Sequence, residues 1–275
     1  MCCTRGGCKV RLDRFLVEEG LFASRSKAKE AIDKGRVKVD GKLAKASFSV
    51  VGTEKIEIAK EEFEYVSRGG FKLAHGLDVF GLDVTGARAL DIGASTGGFT
   101  DCLLKRGAKE VVSVDVGKNQ LADCLREDNR VISLEETNIK YLDPESVGQF
   151  DIITIDVSFI SLEKFFCRLP LFMKPHAQVV ALIKPQFEAG PNRVGKKGVI
   201  KDSSVHLEVL QKIIIDANDA GLYTKNITYS PILGGSGNLE FLGQFNLDSV
   251  EKLEKMSPKK LEEIIKEAHK QVINT

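Results

Sequence analysis

A chain of 275 residues with 43% hydrophobic and 29% charged side chains has room for one full-sized domain and a smaller one, and its composition excludes pervasive disorder and fibrous repeats. The formal net charge of +1 excludes a wholly basic polyanion binder, yet residues 1–45 carry twelve Lys and Arg against six Asp and Glu, the footprint of a local nucleic-acid-facing patch. No apolar run reaches the roughly 18 residues that span a bilayer, and the first residues lack the apolar centre of a secretory signal, which predicts a cytoplasmic protein without membrane insertion.

The chain opens on an extension, residues 1–9, with Cys2, Cys3 and Cys8 beside Arg5, Gly6 and Gly7. No His or fourth Cys follows at metal-ligand spacing, so no metal site is expected, and the six cysteines at 2, 3, 8, 102, 124 and 167 are expected as reduced thiols. From Val10 to Gly20 the apolar Leu12, Phe15 and Leu16 recur at helical spacing, with Gly20 as the cap. Ser24 stands as the N-cap of a second helix, Arg25 to Lys34, which buries Ala28, Ala31 and Ile32 and stops at Gly35. Arg36 to Val39 alternates, Asp40-Gly41 makes a tight turn, and Lys55 to Ile58 alternates again. Residues 10–58 therefore read as a small α+β unit of two helices and a sheet. Connectivity brings Arg25, Lys27, Lys34, Arg36 and Lys38 together as a cationic ridge suited to phosphates, although a solubilising charged face has the same composition.

Residues 59–65, rich in Glu, read as a linker. Over residues 66–247 the runs ARALDIGAS, KEVVSVDVG, RVISLEETN, FDIITIDVSF and AQVVALIKP alternate with helical stretches, which predicts an α/β domain with a doubly wound parallel sheet. After a helix at about 203–221, TKNITYSPI and LEFLGQFN flank a Gly-rich connection and suit an antiparallel pair at one edge, completing a mixed seven-stranded sheet. Residues 248–275 carry spaced Leu and Ile and predict a terminal surface helix; Cys167, in FFCRL, is expected in a helical core.

The first run of the sheet closes on Asp91-Ile92-Gly93-Ala94-Ser95-Thr96-Gly97-Gly98-Phe99, whose glycines let backbone approach a ligand. Asp115, 22 residues after Gly93, stands where an acid bonds ribose hydroxyls. Asn138, after the third strand, is placed to approach an adenine edge, a position an ordinary loop Asn also fits. A dinucleotide loop reads Gly-x-Gly-x-x-Gly, whereas this one reads Gly-x-x-x-Gly-Gly. Asp91 ahead of it can meet an amino group, and phosphate-binding amides would serve no purpose on a ligand without phosphate. The loop thus favours S-adenosylmethionine over a dinucleotide, in a class I (Rossmann-like) methyltransferase domain.

Which atom is methylated is narrowed by elimination. An amino-nitrogen target would call for Asp or Asn with Pro-Pro-aromatic after the fourth strand, where this chain has Asp156-Val-Ser-Phe; pyrimidine C5 chemistry would call for a Cys nucleophile after Pro, and no Pro-Cys pair occurs. Strand ends instead offer Asp156, Lys184 and Glu240, with Lys72 on a helix ahead of the first strand. A ribose hydroxyl is a poor nucleophile that must be aligned and relieved of its proton, and each of the four, taken singly, also reads as an ordinary surface or loop charge.

Taken together, Lys72, Asp156, Lys184 and Glu240 match the order of the tetrad in FtsJ-type ribose 2'-O-methyltransferases, while SRSKAKEAIDKGRVKVDGK resembles the S4 RNA-binding domain. The phrases VSRGGFKL, DIGASTGGFT, DVSFISL, LIKPQFE and SGNLEF make residues 10–246 resemble the hemolysin A or TlyA family of ribosomal RNA methyltransferases. That resemblance implies S-adenosylmethionine as cofactor, bound by Asp91, Gly93 to Phe99, Asp115, Asn138 and Asp156. It further implies cytidine 2'-hydroxyls of ribosomal RNA, naked or in subunits, as substrate; the four charged residues as catalytic; and Arg68 beside the S4-like cations as an RNA contact. Two rival readings remain, a cytolytic protein and a non-catalytic RNA-binding assembly factor, and oligomeric state is left open.

Overall fold

The computed structural model describes residues 9–22, 24–33, 35–58, 65–190, 193–195, 198–248 and 256–273, which fall into two compact units divided between residues 58 and 65. The expectations placed on Cys2, Cys3, Cys8 and Lys34, and on all but the last residue of the linker, lie outside the described residues.

The first unit runs β1 (Val10–Arg11), α1 (Leu12–Glu18), α2 (Arg25–Asp33), β2 (Val37–Val39), β3 (Lys42–Leu43), β4 (Ser49–Val50) and β5 (Ile56–Ile58). Its core is built from Leu12, Leu16, Ala28, Ala31, Ile32, Val37, Val39 and Val50, all buried. Ser24 Oγ accepts from the Lys27 amide at 3.3 Å, the N-cap read from sequence. Asp40 and Gly41 take φ of 49° and 75°, the left-handed pair that a two-residue hairpin turn between β2 and β3 requires. The first helix is shorter than its periodicity predicts. Val10 and Arg11 pair antiparallel with Val50 and Ser49, because a β-branched residue opposite another gains more from a cross-strand contact than from extending a helix end.

The second unit contains α3 (Arg68–Phe80), β6 (Arg88–Ile92), α4 (Gly98–Lys105), β7 (Glu110–Val114), α5 (Asp123–Arg126), β8 (Val131–Leu134), α6 (Pro144–Val147), β9 (Phe150–Ile155), α7 (Glu163–Phe166), β10 (Met173–Ile183), α8 (Pro185–Glu188), α9 (Ser203–Asp219), β11 (Tyr223–Tyr229), β12 (Phe241–Asn246) and α10 (Pro258–Ala268). The seven strands lie in the order β11-β12-β10-β9-β6-β7-β8. All neighbours are parallel except β12, which runs antiparallel to β10 and β11. Along β10, Val179, Ala181 and Ile183 face one layer of core while Val180 and Leu182 face the other, the two-sided burial expected of a covered parallel sheet. Leu73 and Leu77 of α3 and Leu103 of α4 cover one face; Phe166 of α7, Leu210 of α9 and Ile265 of α10 cover the other. The chain reverses its direction of travel across the sheet between β6 and β9, the switch point where ligands bind in such folds.

Two local readings are corrected. Tyr65, read as the end of the linker, is 4% exposed; its ring lies where a Cβ on Gly70 would be and meets Phe71 edge-on at 5.2 Å. Cys167, read as helical core, follows the last residue of the short α7 and is exposed, since that helix turns Phe165 and Phe166 inward instead.

Candidate active site

The ends of β6, β7 and β9 and the start of α4 meet at the switch point and line the cavities there. Gly93, just past β6, has φ of +83°, and a Cβ there would stand 2.6 Å from the Asp156 carbonyl oxygen. Only glycine therefore lets the ends of β6 and β9 meet. Gly97 takes φ of +95° as the N-cap of α4, with Leu121 and Leu125 filling the space a side chain would need.

Around this loop lie two cavities that share Gly93, Ser95 and Asp156. The larger, about 500 Å³, is lined by Asp115, Val116, Gln120, Thr137, Asn138 and Ser158 among others, a size suited to a small-molecule ligand. The smaller, about 110 Å³, is lined by Ser67, Gly69, Lys72, Ala94, Thr96, Gly98 and Phe99. Four backbone amides of the loop are already engaged. Gly93 and Ala94 donate to the Val114 carbonyl at 2.8 and 3.3 Å, Gly97 to that of Ala94 at 2.7 Å, and Ser95 to Asp115 Oδ2 at 2.8 Å. The other Asp115 oxygen accepts from Gly117 at 2.7 Å. Those four amides are unavailable to a phosphate, in contrast to a phosphate-binding glycine loop.

The four charged residues singled out in the sequence come together as two ion pairs. Lys72, on the second turn of α3, donates to Glu240 Oε2 at 2.5 Å; the residues are 8% and 3% exposed. Gly234 leaves the space that the Glu240 carboxylate occupies. Lys184, after β10, stands 2.6 Å from Asp156 Oδ1. Its directed hydrogen bond goes to Ser158 Oγ at 2.8 Å, and Asp156 Oδ1, though close, receives none. Ser158 has no place in the sequence-derived set.

Asp91 departs from its expected role. It is fully buried, lines neither cavity, and accepts from Thr100 at 2.7 Å and Thr154 at 2.9 Å. Thr100 Oγ1 also shares a hydrogen bond of 2.7 Å with Ser113 Oγ, in which either hydroxyl can donate. Burial pushes the Asp91 carboxyl up to about 7, with the two threonines pulling the other way. A raised carboxyl pKa means the native state binds the extra proton, so its contribution to stability is fullest below pH 4 and drains away as pH rises toward 7. Asp91→Asn is expected to remove that fall, up to about 1.4 kcal/mol per pH unit across the window. Urea unfolding at pH 4.5, 5.5 and 6.5 checks this; parallel stability curves for the two proteins contradict it.

Phe159, also outside the sequence-derived set, is 88% exposed, takes φ of +65°, and packs its ring on Phe187 at 4.8 Å. A bulky residue in the left-handed region costs on the order of 1 to 3 kcal/mol and persists only where its surroundings hold it. The phrase DVSF locates the residue, but no pattern in the sequence announces that backbone.

Among the cations of the ridge, Arg25 pairs with Asp13 Oδ2 at 2.8 Å while Arg11 holds Oδ1 at 3.0 Å. The Arg11 hydrogen bond is the main cause that brings the Asp13 carboxyl down to about 2. Lys27 and Lys38 are exposed, on α2 and on the outward side of β2, and Arg36 is half-buried. Arg68 donates to the Leu233 carbonyl at 2.5 Å. Asn138 is exposed, and its side chain accepts from the Lys140 amide at 3.0 Å.

The S4 domain profile matches residues 10–56, and the profile of the FtsJ-like methyltransferases matches residues 65–247. Hemolysin A of Brachyspira hyodysenteriae is 43% identical over 242 residues, covering 86% of this chain and 99% of that protein. The 16S/23S rRNA (cytidine-2'-O)-methyltransferase TlyA of Mycobacterium tuberculosis (strain ATCC 25618 / H37Rv) is 42% identical over 236 residues, 85% of this chain and 88% of its own. A solved structure from Streptococcus thermophilus that carries the name hemolysin superposes with a TM-score of 0.74 at 40% identity over 96% of both chains. With the profile spanning most of its length, the chain belongs to the FtsJ-like methyltransferase family and carries an S4 domain ahead of the methyltransferase domain.

Proposed function

We propose that the chain uses S-adenosylmethionine to methylate the ribose 2'-hydroxyl of a cytidine in ribosomal RNA, working in the cytoplasm on RNA or ribosomal subunits. The observation that carries the reading is the pair of ion pairs, Lys72 with Glu240 and Lys184 with Asp156, at the border between a cofactor-sized cavity and a smaller one. The names of the TlyA relatives agree with it.

The larger cavity fits the cofactor. Asp115 and Asn138, which line it, would hold the ribose hydroxyls and the adenine edge, and a loop with four of its amides spent inside the protein suits a ligand without phosphate. When bound, S-adenosylmethionine supplies a methyl group on a sulfonium. Lys72, lining the smaller cavity, and Asp156, lining both, orient the incoming ribose so that its hydroxyl lies in line. Lys184 removes the hydroxyl proton, which requires the free amine. The Asp156 carboxylate 2.6 Å away holds that amine in place but favours its charged form, so the opposing influence is the positive charge that a bound sulfonium would bring to the site. The exposed Phe159 ring offers a face on which an unstacked base can lie.

The lytic reading finds no support in the fold. Among the described residues no helix is long and apolar enough to cross a membrane, and the apolar stripe of α10, Leu261, Ile265 and Ala268, is packed inside the domain. Cofactor titration by calorimetry, with RNA binding measured at two salt concentrations, tests the reading. Binding of both ligands is expected; a protein that takes up no cofactor is an assembly factor, and one that takes up neither is something else.

RNA affinity and cofactor affinity should separate. Reversing the exposed Lys27 and Lys38 together to Glu is expected to weaken ribosomal RNA binding about tenfold or more and to flatten its salt dependence. Cofactor affinity should stay unchanged, and a matching loss of it refutes the division of labour.

A further inference from the structure

The segment after β9, Asp156 to Leu162, and the segment after β10, Lys184 to Glu188, are joined at three successive levels. Lys184 meets Asp156 and Ser158 at the first, and Phe187 packs on Phe159 at the second. At the third, Glu188 Oε2 accepts from Ser161 Oγ at 2.7 Å and Oε1 from the Leu162 amide at 2.9 Å. The first two levels border the larger cavity or its mouth. The third touches neither cavity, yet it spends a carboxylate that is only 8% exposed.

A buried carboxylate is an expensive way to fix a short helix, and an apolar side chain of similar size would serve packing alone. Burial pushes the Glu188 carboxyl upward against its two hydrogen bonds, with Lys212 and Asp216 of α9 as the neighbouring charges. What the carboxylate does hold is the far end of a segment that passes through the left-handed Phe159. A segment on so unfavourable a path keeps it only if tied on both sides, and Lys184 is one of the two ties.

We propose that Glu188 is a positioning residue: by anchoring Ser161 and Leu162 to α8 it keeps Ser158 and Asp156 in register with Lys184. This rests on the reading of Lys184 and Asp156 as the reacting pair. Single-turnover methyl transfer to ribosomal RNA at saturating cofactor, in the full chain, compares Glu188→Ala with Glu188→Gln. The Ala variant should lose about thirtyfold or more in rate, the scale of a small misplacement of reacting groups, while its cofactor Kd changes less than about threefold. The Gln variant can still accept from Leu162 and, with its amide now the donor, keep the bond to Ser161 Oγ in reversed sense; it should recover to within about threefold of the parent. An unchanged rate in the Ala variant, a loss that follows cofactor affinity or folded fraction, or failure of Gln to rescue overturns the proposal. Hydrogen exchange of residues 156–162, read without substrate, separates the two readings. Faster exchange in Ala but not in Gln is expected, and equal exchange overturns the clamp whatever the reaction. A parent protein that transfers no methyl group overturns the functional reading instead.

Discussion

Lys184→Ala is expected to lower methyl transfer by about a thousandfold or more while leaving cofactor affinity within about threefold, because proton removal from a weak nucleophile carries that scale of acceleration and alignment adds to it. Lys184 holds the only position among the four from which one ammonium reaches both Asp156 and Ser158, and it lines neither cavity. Its loss should therefore remove chemistry without removing the ligand. Single-turnover transfer and calorimetry on the same preparation make the comparison; a variant that keeps a tenth of the rate would show that Lys184 is not the group that takes the proton.

Glu240→Ala should have the largest effect on the fold. Lys72 and Glu240 have 10% and 4% of their side-chain surface exposed, and removing one member of a buried pair leaves an uncompensated charge that costs about 3 to 5 kcal/mol. That is a large share of the total stability of a domain. Glu240→Gln keeps the shape and an acceptor for the Lys72 ammonium, so its cost should be less than half as large. Urea unfolding of the three proteins reads this directly. Equal stability of Glu240→Ala and its parent would show that water reaches Lys72 freely and that the pair is not the dry tie its geometry describes. If Lys72 also orients the ribose, Glu240→Gln should lower the transfer rate more than it lowers stability.

The sheet and its order of strand and helix were legible because they depend on short-range signals, continuous apolar runs and a glycine loop. Asp156, Lys184 and Glu240 stood out as charges at strand ends, while Lys72, on a helix, joined them only through the resemblance to the FtsJ-type tetrad. How the four pair was not legible. Lys72 reaches Glu240 rather than Asp156 because α3 packs across the sheet beside β12, a matter of tertiary register that spacing does not carry. The surroundings of Asp91 were hidden for a similar reason. Its place before the loop suggests a ligand contact, but Thr100, nine residues on in α4, and Thr154, sixty-three residues on in β9, close over it, and only the fold brings that second threonine alongside. Phe159 went unseen because sequence rules reserve positive φ for Gly and Asn. In the first unit, Val10 was drawn into a helix by periodicity alone, while the strand it forms depends on Val50, forty residues further on. Arg25 reads as a free cation in sequence and is found tied to Asp13, so that Lys27 and Lys38 carry more of the expected phosphate contact.

The most direct test is methyl transfer from labelled S-adenosylmethionine to unmodified ribosomal subunits, with the label located by nucleoside analysis in the parent protein and in Lys184→Ala. Label on the ribose of cytidine, absent with the variant, is the predicted result; label on a base, or transfer undiminished in Lys184→Ala, would contradict it.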